Sequence, residues 1–441
     1  RSEPGAVFAG EATVRSAGGA IEFEAVGTQQ MKGKAAPVPV WRVVRIGGGG
    51  AGSVNVPFVG RDAELRMVVD LWDATCREER VRLVSVIGPG GIGKSRLSWE
   101  FLRHIDRQDD FVLWHTGRCP SYGDAVSFRA LAEMVRQRCF LLEEDDEATT
   151  RERIAAKAAE LFPDADERAW IEQALLVLLG LGTGMGADQL FAAWRTFFER
   201  MAAIAPVVLV FEDLHFADPG LLDFVDHLTD HARGVPIYVL TMARTDLLEK
   251  RPTWGAGKRH FSSIFLEPLP AAEMREMLAQ VVPGLPDPVT DRIVERSAGM
   301  PLYAVETIRK LVADGRLAQV DDVWTPVGDL EKLSIPESIQ ALIASRLDSF
   351  EPEDRALVAD ASVLGQSFAP AALAAVSGIP AAVLSLRLTS LVRREILVEE
   401  DPQSPLRGQY SFVQALIREV AYNTLARRDR RSEEHTSELQ S

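Results

Sequence analysis

Gly88-Pro89-Gly90-Gly91-Ile92-Gly93-Lys94-Ser95 is a G-x-x-x-x-G-K-S phosphate loop set between a mostly apolar run, residues 81–87, and a helix-like segment beginning near Lys94. A nucleoside triphosphate tail carries several negative charges, so its host must bring backbone N–H groups close, and glycines let the chain wrap that tightly. The candidate binding residues are Gly88, Gly90, Gly91, Ile92, Gly93, Lys94 and Ser95, with Arg96 one position further on. Lys94 offers a cation to the β and γ phosphates and Ser95 a hydroxyl to Mg2+, while the positive end of the helix favours the same anion. A bare glycine-rich turn would bind nothing, but the strand-loop-helix setting points to phosphate.

Downstream, Val207-Val208-Leu209-Val210-Phe211-Glu212-Asp213 is an apolar strand ending in two acids. Such a run predicts a central parallel strand covered on both faces, and ligands of such sheets sit at the strands' carboxyl ends. Glu212 and Asp213 are therefore expected beside Lys94 and Ser95, one acid holding Mg2+ and the other orienting the attacking water. We lean to Glu212 for the metal and Asp213 for the water, with the reverse left open. His215 reads as a packed residue rather than a base.

Bulk properties bound the rest. A length of 441 residues exceeds one core and predicts two to four domains, and 46% hydrophobic with 26% charged residues is ordinary globular composition. A formal charge of −15 argues against a surface built mainly for nucleic acid. Cys76, Cys119 and Cys139 form no C-x-x-C pair, which fits structural thiols in a reducing cytoplasm. The longest apolar run, residues 174–181, is too short to cross a bilayer, and the first residues lack the order of a signal peptide. A soluble, cytoplasmic protein without a membrane partner is the expectation.

Along the chain, residues 6–9, 21–26 and 38–44 read as short strands, too few to close a core, and residues 47–53 as a glycine-rich linker. An amphipathic helix is expected to about residue 77. A buried strand follows at 111–114, a turn at 117–123, and helices near 128–142, 151–162, 167–181 and 187–205. Strands are expected again at 235–242 and 263–266. Residues 271–311 are helical, and from 335 come further helices, a hairpin around residues 401–408, and a last helix at 414–425.

Several of these stretches resemble known families. Gly10-Glu11-Ala12-Thr13, residues 21–27, Met31-Lys32-Gly33-Lys34 and residues 37–43 resemble the last strands of class III adenylate/guanylate cyclase domains. That resemblance implies that Lys32 or Lys34 reaches substrate phosphates in an intact domain, a solvated lysine being the alternative. The family's metal-binding aspartates and transition-state residues lie upstream, so this stretch is not expected to cyclise ATP by itself. Phe58-Val59-Gly60-Arg61-Asp62-Ala63-Glu64-Leu65 is similar to the segment that closes over adenine in signal-transduction ATPases with numerous domains. The resemblance implies that Val59 and Gly60 line the base and Arg61 braces the loop. Gly117-Arg118-Cys119-Pro120-Ser121-Tyr122-Gly123 resembles a turn of the cyclase-linked branch of that class, and Gly299-Met300-Pro301 its G-x-P motif, in which Pro301 would sense the nucleotide. Arg244, at the end of a strand, would lie near the γ phosphate, where a permanently charged fork suits the task.

The expected fold is α/β: a P-loop NTPase with a parallel sheet and a helical insertion (56–270), a helical lid (271–333) and a winged-helix domain (334–430). These follow a cyclase remnant (1–45) and a linker (46–55). Residues 431–441 resemble the translation of a sequencing-library adapter, marking a truncated fragment. The implied function is an ATP/ADP-dependent switch and slow Mg2+-dependent ATPase. It would act on a fused cyclase upstream, with protein partners or self-association. The alternative is a transcription regulator whose DNA-binding domain lies elsewhere. The winged helix itself reads as a protein-packing module rather than a DNA reader.

Overall fold

The structure is a computed structural model of the chain. It describes residues 8–10, 21–29, 38–46, 56–108, 111–120, 127–142, 145–320, 323–328, 336, 338–400 and 408–425. Lys32, Lys34, the linker glycines 47–53, Ser121-Tyr122-Gly123 and residues 431–441 lie outside them.

At the N-terminus, β1 (Phe8–Gly10), β2 (Ile21–Gln29) and β3 (Val38–Ile46) form an antiparallel sheet in the order β1-β3-β2. The main body is a five-stranded parallel sheet of β4 (Arg82–Ile87), β5 (Leu113–Arg118), β6 (Val207–Glu212), β7 (Ile237–Ala243) and β8 (Phe261–Phe265). Its order is β5-β6-β7-β4-β8, which puts the phosphate-loop strand between β7 and β8 and two strands from β6.

The apolar run of β6 is buried because both faces are covered. Val208 and Val210 pack with Trp72, Leu97 and Phe101 of the helices Asp62–Glu78 and Lys94–Ile105. Val207, Leu209 and Phe211 turn to the other face, against the helices Arg129–Arg138, Ala187–Ala202 and Pro219–His231. With period-two alternation and no polar face, each side chain contributes about 1.5–3 kcal/mol of burial. Glu147–Leu161 and Ala165–Leu178 complete the helical insertion, and the short helix Asp246–Lys250 follows β7.

Three helices come next, Ala271–Val281, Asp287–Ser297 and Pro301–Ala313, with their own apolar cluster. They are followed by a hairpin of β9 (Leu317–Val320) and β10 (Val323–Pro326) that the sequence reading did not contain. The last unit has helices Ile339–Asp348, Pro352–Leu364, Pro370–Ser377, Ala381–Arg393 and Ala415–Thr424 around a further cluster. Its small sheet, ordered β11-β13-β12, consists of β11 (Ser367–Phe368), β12 (Leu397–Glu399) and β13 (Tyr410–Phe412). The expected hairpin is thus present as β12 and β13, and β11 is an added third strand.

Two expectations change. The strand placed at 111–114 begins at Leu113, and Phe111 is 69% exposed. Pairing with β6 in the register Leu113↔Val207 to Arg118↔Glu212 extends the strand through Gly117 and Arg118, which the sequence had suggested to be a turn. Gly117 is there for close approach: a Cβ would lie 2.0 Å from the carbonyl oxygen of Ala130. The last strand runs 261–265 rather than 263–266, because its register with β4 begins at Leu83↔Phe261.

Candidate nucleotide cleft

The phosphate loop leaves β4 at Ile87 and enters a helix at Lys94, and its conformation is available only to glycine at two points. Gly93 has φ 109° with no neighbour to crowd it, so backbone conformation alone demands glycine there. Gly91 has φ 81°, and a Cβ would lie 2.8 Å from Leu302 of the helix Pro301–Ala313. The helix Lys94–Ile105 has no side-chain cap and no acid in its first turn, leaving its leading N–H groups for an anion.

Lys94 Nζ donates to the carbonyls of Gly88 at 2.8 Å and Pro89 at 3.1 Å. Burial pushes its pKa down to about 8, against an opposing pull from Asp213 and reinforced by Arg244. A cavity of about 380 Å3 opens over the loop. Gly90, Gly91, Ile92, Gly93, Lys94, Ser95 and Arg96 line it from the loop, Val59 and Arg61 from the preceding segment, Asp213 and Arg244 from the strand tips, and Pro301 from the helix opposite. Gly88 and Gly60 do not line the cavity. Gly88 sits under the loop, its N–H bonded to the Ala243 carbonyl at 3.1 Å. Gly60, at φ 69°, backs onto Glu273, whose Oε2 would be 2.3 Å from an added Cβ. Arg61 is 7% exposed and bonds the Glu64 carboxylate and the Glu267 carbonyl, tying the segment ahead of the loop to the end of the α/β unit.

The two acids separate. Asp213 faces the cavity from a left-handed conformation, φ 53°, and burial pushes its pKa up while Arg118 pulls it down. Glu212 instead turns to Arg118, whose Nη2 and Nε lie 2.5 Å and 2.9 Å from Glu212 Oε2, and lines a neighbouring cavity of about 350 Å3. The expectation that both acids meet the phosphates is corrected: the strand ends at Glu212, the left-handed turn at Asp213 sends the next side chain elsewhere, and an ion pair holds Glu212 on Arg118. Arg118, which the sequence places in a turn, lines both cavities and is 3.8 Å from Asp213. The signal for it is the register that places it opposite Glu212.

Arg244 lies by the loop, with Nη2 3.4 Å from where a Cβ on Gly90 would sit, and reaches Glu419 Oε2 of the last helix at 3.8 Å. His215 is buried, as expected. Its Nδ1 is 3.4 Å from the Arg244 backbone nitrogen, and burial pushes its pKa down to about 4, keeping it neutral. The Gly299-Met300-Pro301 turn works by close approach: a Cβ on Gly299 would lie 2.6 Å from the Leu269 carbonyl oxygen. Pro301 starts its helix, and the Leu302 N–H donates to the Gly91 carbonyl at 3.3 Å. Sequence reasoning also missed Arg309, Gln366 and Gln414, which line the same cavity from the two C-terminal units. No local pattern announces them.

Among the described residues no group of three or more His, Cys, Asp or Glu is placed to hold a metal by itself. Magnesium needs less, since it keeps waters and binds through one or two protein oxygens plus phosphates, and the Ser95 hydroxyl and Asp213 carboxylate in one cavity fit that donor set.

Residues 57–242 match the family model described as AAA ATPase domain. The chain has the α/β fold of a P-loop NTPase. A curated relative, an uncharacterized protein of Rhizobium meliloti (strain 1021), is 25% identical over 455 residues, which cover 97% of this chain and 42% of that protein. The chain thus spans less than half the length of the relative it matches. Among solved structures, it is similar to a Signal Transduction ATPase with Numerous Domains (STAND) protein with a tetratricopeptide repeat sensor from Pyrococcus horikoshii. That similarity has 13% identity and a TM-score of 0.49, covering 88% of this chain and 46% of that one. A second is the Aeropyrum pernix ORC1 protein in complex with DNA, at 12% identity and a TM-score of 0.41, covering 84% of this chain and 94% of that one. Among the described residues no single helix is long and apolar enough to cross a membrane.

Proposed function

We propose that this chain is an ATP-binding switch of the STAND type, with a P-loop core, a helical lid and a winged-helix module. Nucleotide in the cleft sets their arrangement, and slow hydrolysis or exchange resets it. The observation that carries this reading is the single cavity lined by Lys94, Ser95 and Asp213 of the core, Pro301 and Leu302 of the lid helix, and Gln366 and Gln414 of the last unit. A ligand there contacts three packing units at once, which is what a population shift by differential affinity requires.

Val59 and Arg61 frame the base, and the loop amides with Lys94 and Arg244 hold the phosphates. Ser95 and Asp213 hold Mg2+, which would neutralise charge on the phosphates. Glu212, paired with Arg118, takes no part at the phosphates in this reading. The output we favour is control of a class III cyclase domain, of which residues 8–46 keep the final strands, within a cytoplasmic protein that acts through protein partners or self-association.

The test is ATP affinity with and without Lys94→Ala. Loss of a charge-assisted contact to phosphate is expected to weaken binding about 10- to 100-fold. Undiminished affinity in the variant would remove the site assignment.

A further inference from the structure

On the helix Pro301–Ala313, Leu302, Val305 and Arg309 recur every three or four residues and face the cleft together. Arg309 is held from behind. Its Nη1 donates to Glu306 Oε1 at 2.6 Å, and its Nε lies 2.5 Å from Glu395 Oε2. Glu306 also accepts from Arg346 Nη1 at 2.8 Å, and Arg346 donates to the Arg394 carbonyl. These contacts bind the lid helix to the first helix of the last unit, Ile339–Asp348, and to the turn at Arg394 and Glu395 that leads into β12.

The two halves of this network differ. In the pair Glu306 and Arg346 the side chains are 1% and 5% exposed, so separating them would strand buried charge. Arg309, which lines the cleft, and its partner Glu395 are 12% and 16% exposed. There an arriving anion can take the guanidinium while water takes the carboxylate. A guanidinium fork suits carboxylate and phosphate alike, and Glu395 sits at φ 54°, a conformation that non-glycine residues seldom hold.

We propose that Arg309 is shared between Glu395 and the phosphates of a nucleotide in the cleft, so that filling the cleft with a triphosphate releases the turn at Glu395 and loosens the last unit's sheet. This rests on the nucleotide reading of the cleft. The Glu306–Arg346 pair stays closed and acts as the pivot. A triphosphate carries more charge than a diphosphate and draws Arg309 more strongly. Coupling is reciprocal, so the hold of Glu395 on Arg309 weakens triphosphate binding by the factor with which triphosphate weakens that hold.

The experiment uses the full chain, a non-hydrolysable ATP analogue and ADP, with binding followed by calorimetry and residues 394–399 by hydrogen exchange. Wild type is expected to exchange faster there with the analogue than with ADP. Glu395→Gln is expected to exchange fast without nucleotide and to bind the analogue about fivefold tighter, within the usual range of coupling between sites. Arg309→Gln is expected to bind but to show no nucleotide-dependent change. Unchanged analogue affinity in Glu395→Gln, a substitution mild enough to leave the fold intact, overturns the proposal. So does a wild-type response in Arg309→Gln. If wild type binds neither nucleotide, the reading of the cleft fails first and the proposal with it.

Discussion

Lys94 stands where burial works against its charge and a bound phosphate would restore it. With its pKa lowered to about 8 from the usual 10.5, it loses its proton as pH rises through 8. The charged form is the one that phosphate needs, so ATP affinity should fall between pH 7 and 9 and nucleotide binding should take up protons on the alkaline side. For stability the sign is opposite. The unfolded chain holds more protons between pH 8 and 10.5, so this lysine's cost to the fold shrinks as pH rises through that window. Binding measured at both pH values checks the first statement. In Lys94→Arg, whose charge persists, the pH dependence should flatten. A parallel decline in that variant would place the titration on another group.

Among the elements, β5 is the instructive one. Its buried positions alternate with half-buried ones and its final residues run against the helix Arg129–Arg138 so closely that Gly117 has no room for a methyl group. Gly117→Ala must displace the backbone of Ala130, and the expected loss is about 1–3 kcal/mol, the usual cost of overpacking. It would be read as a lower denaturant midpoint with an unchanged slope. Because Arg118 is the next residue, the same shift should disturb its pair with Glu212. Equal stability in the variant would show that the helix can retreat freely.

At the scale of the whole molecule, three units meet over one cleft and are joined by contacts of unequal strength. Core and last unit share the partly exposed pair of Arg244 and Glu419, whereas lid and last unit share the buried pair of Glu306 and Arg346. Arg346→Ala leaves Glu306 with Arg309 alone, and a loss of about 3 kcal/mol is expected from breaking a buried pair. Glu306→Gln with Arg346→Met should recover part of it in thermal unfolding. Additive losses in the double variant would mean that the two side chains do not act as a pair.

Much of the fold was legible because the decisive signals are local. The phosphate loop needs glycines at fixed offsets, β6 needs an unbroken apolar run, and the helices Pro352–Leu364 and Pro370–Ser377 each begin on a proline. The hairpin β9–β10 escaped because two four-residue strands carry too little periodicity to register. Arg118 escaped because its meaning lies in the neighbouring strand. By itself, then, the chain's sequence determined a phosphate-binding α/β core, since backbone sterics and side-chain period act between residues close in sequence. Which acid faces the cleft, what restrains the other, and that Arg309, Gln366 and Gln414 join the loop were decided by tertiary structure alone, because strand register and helix packing bring together charges separated by tens to hundreds of residues.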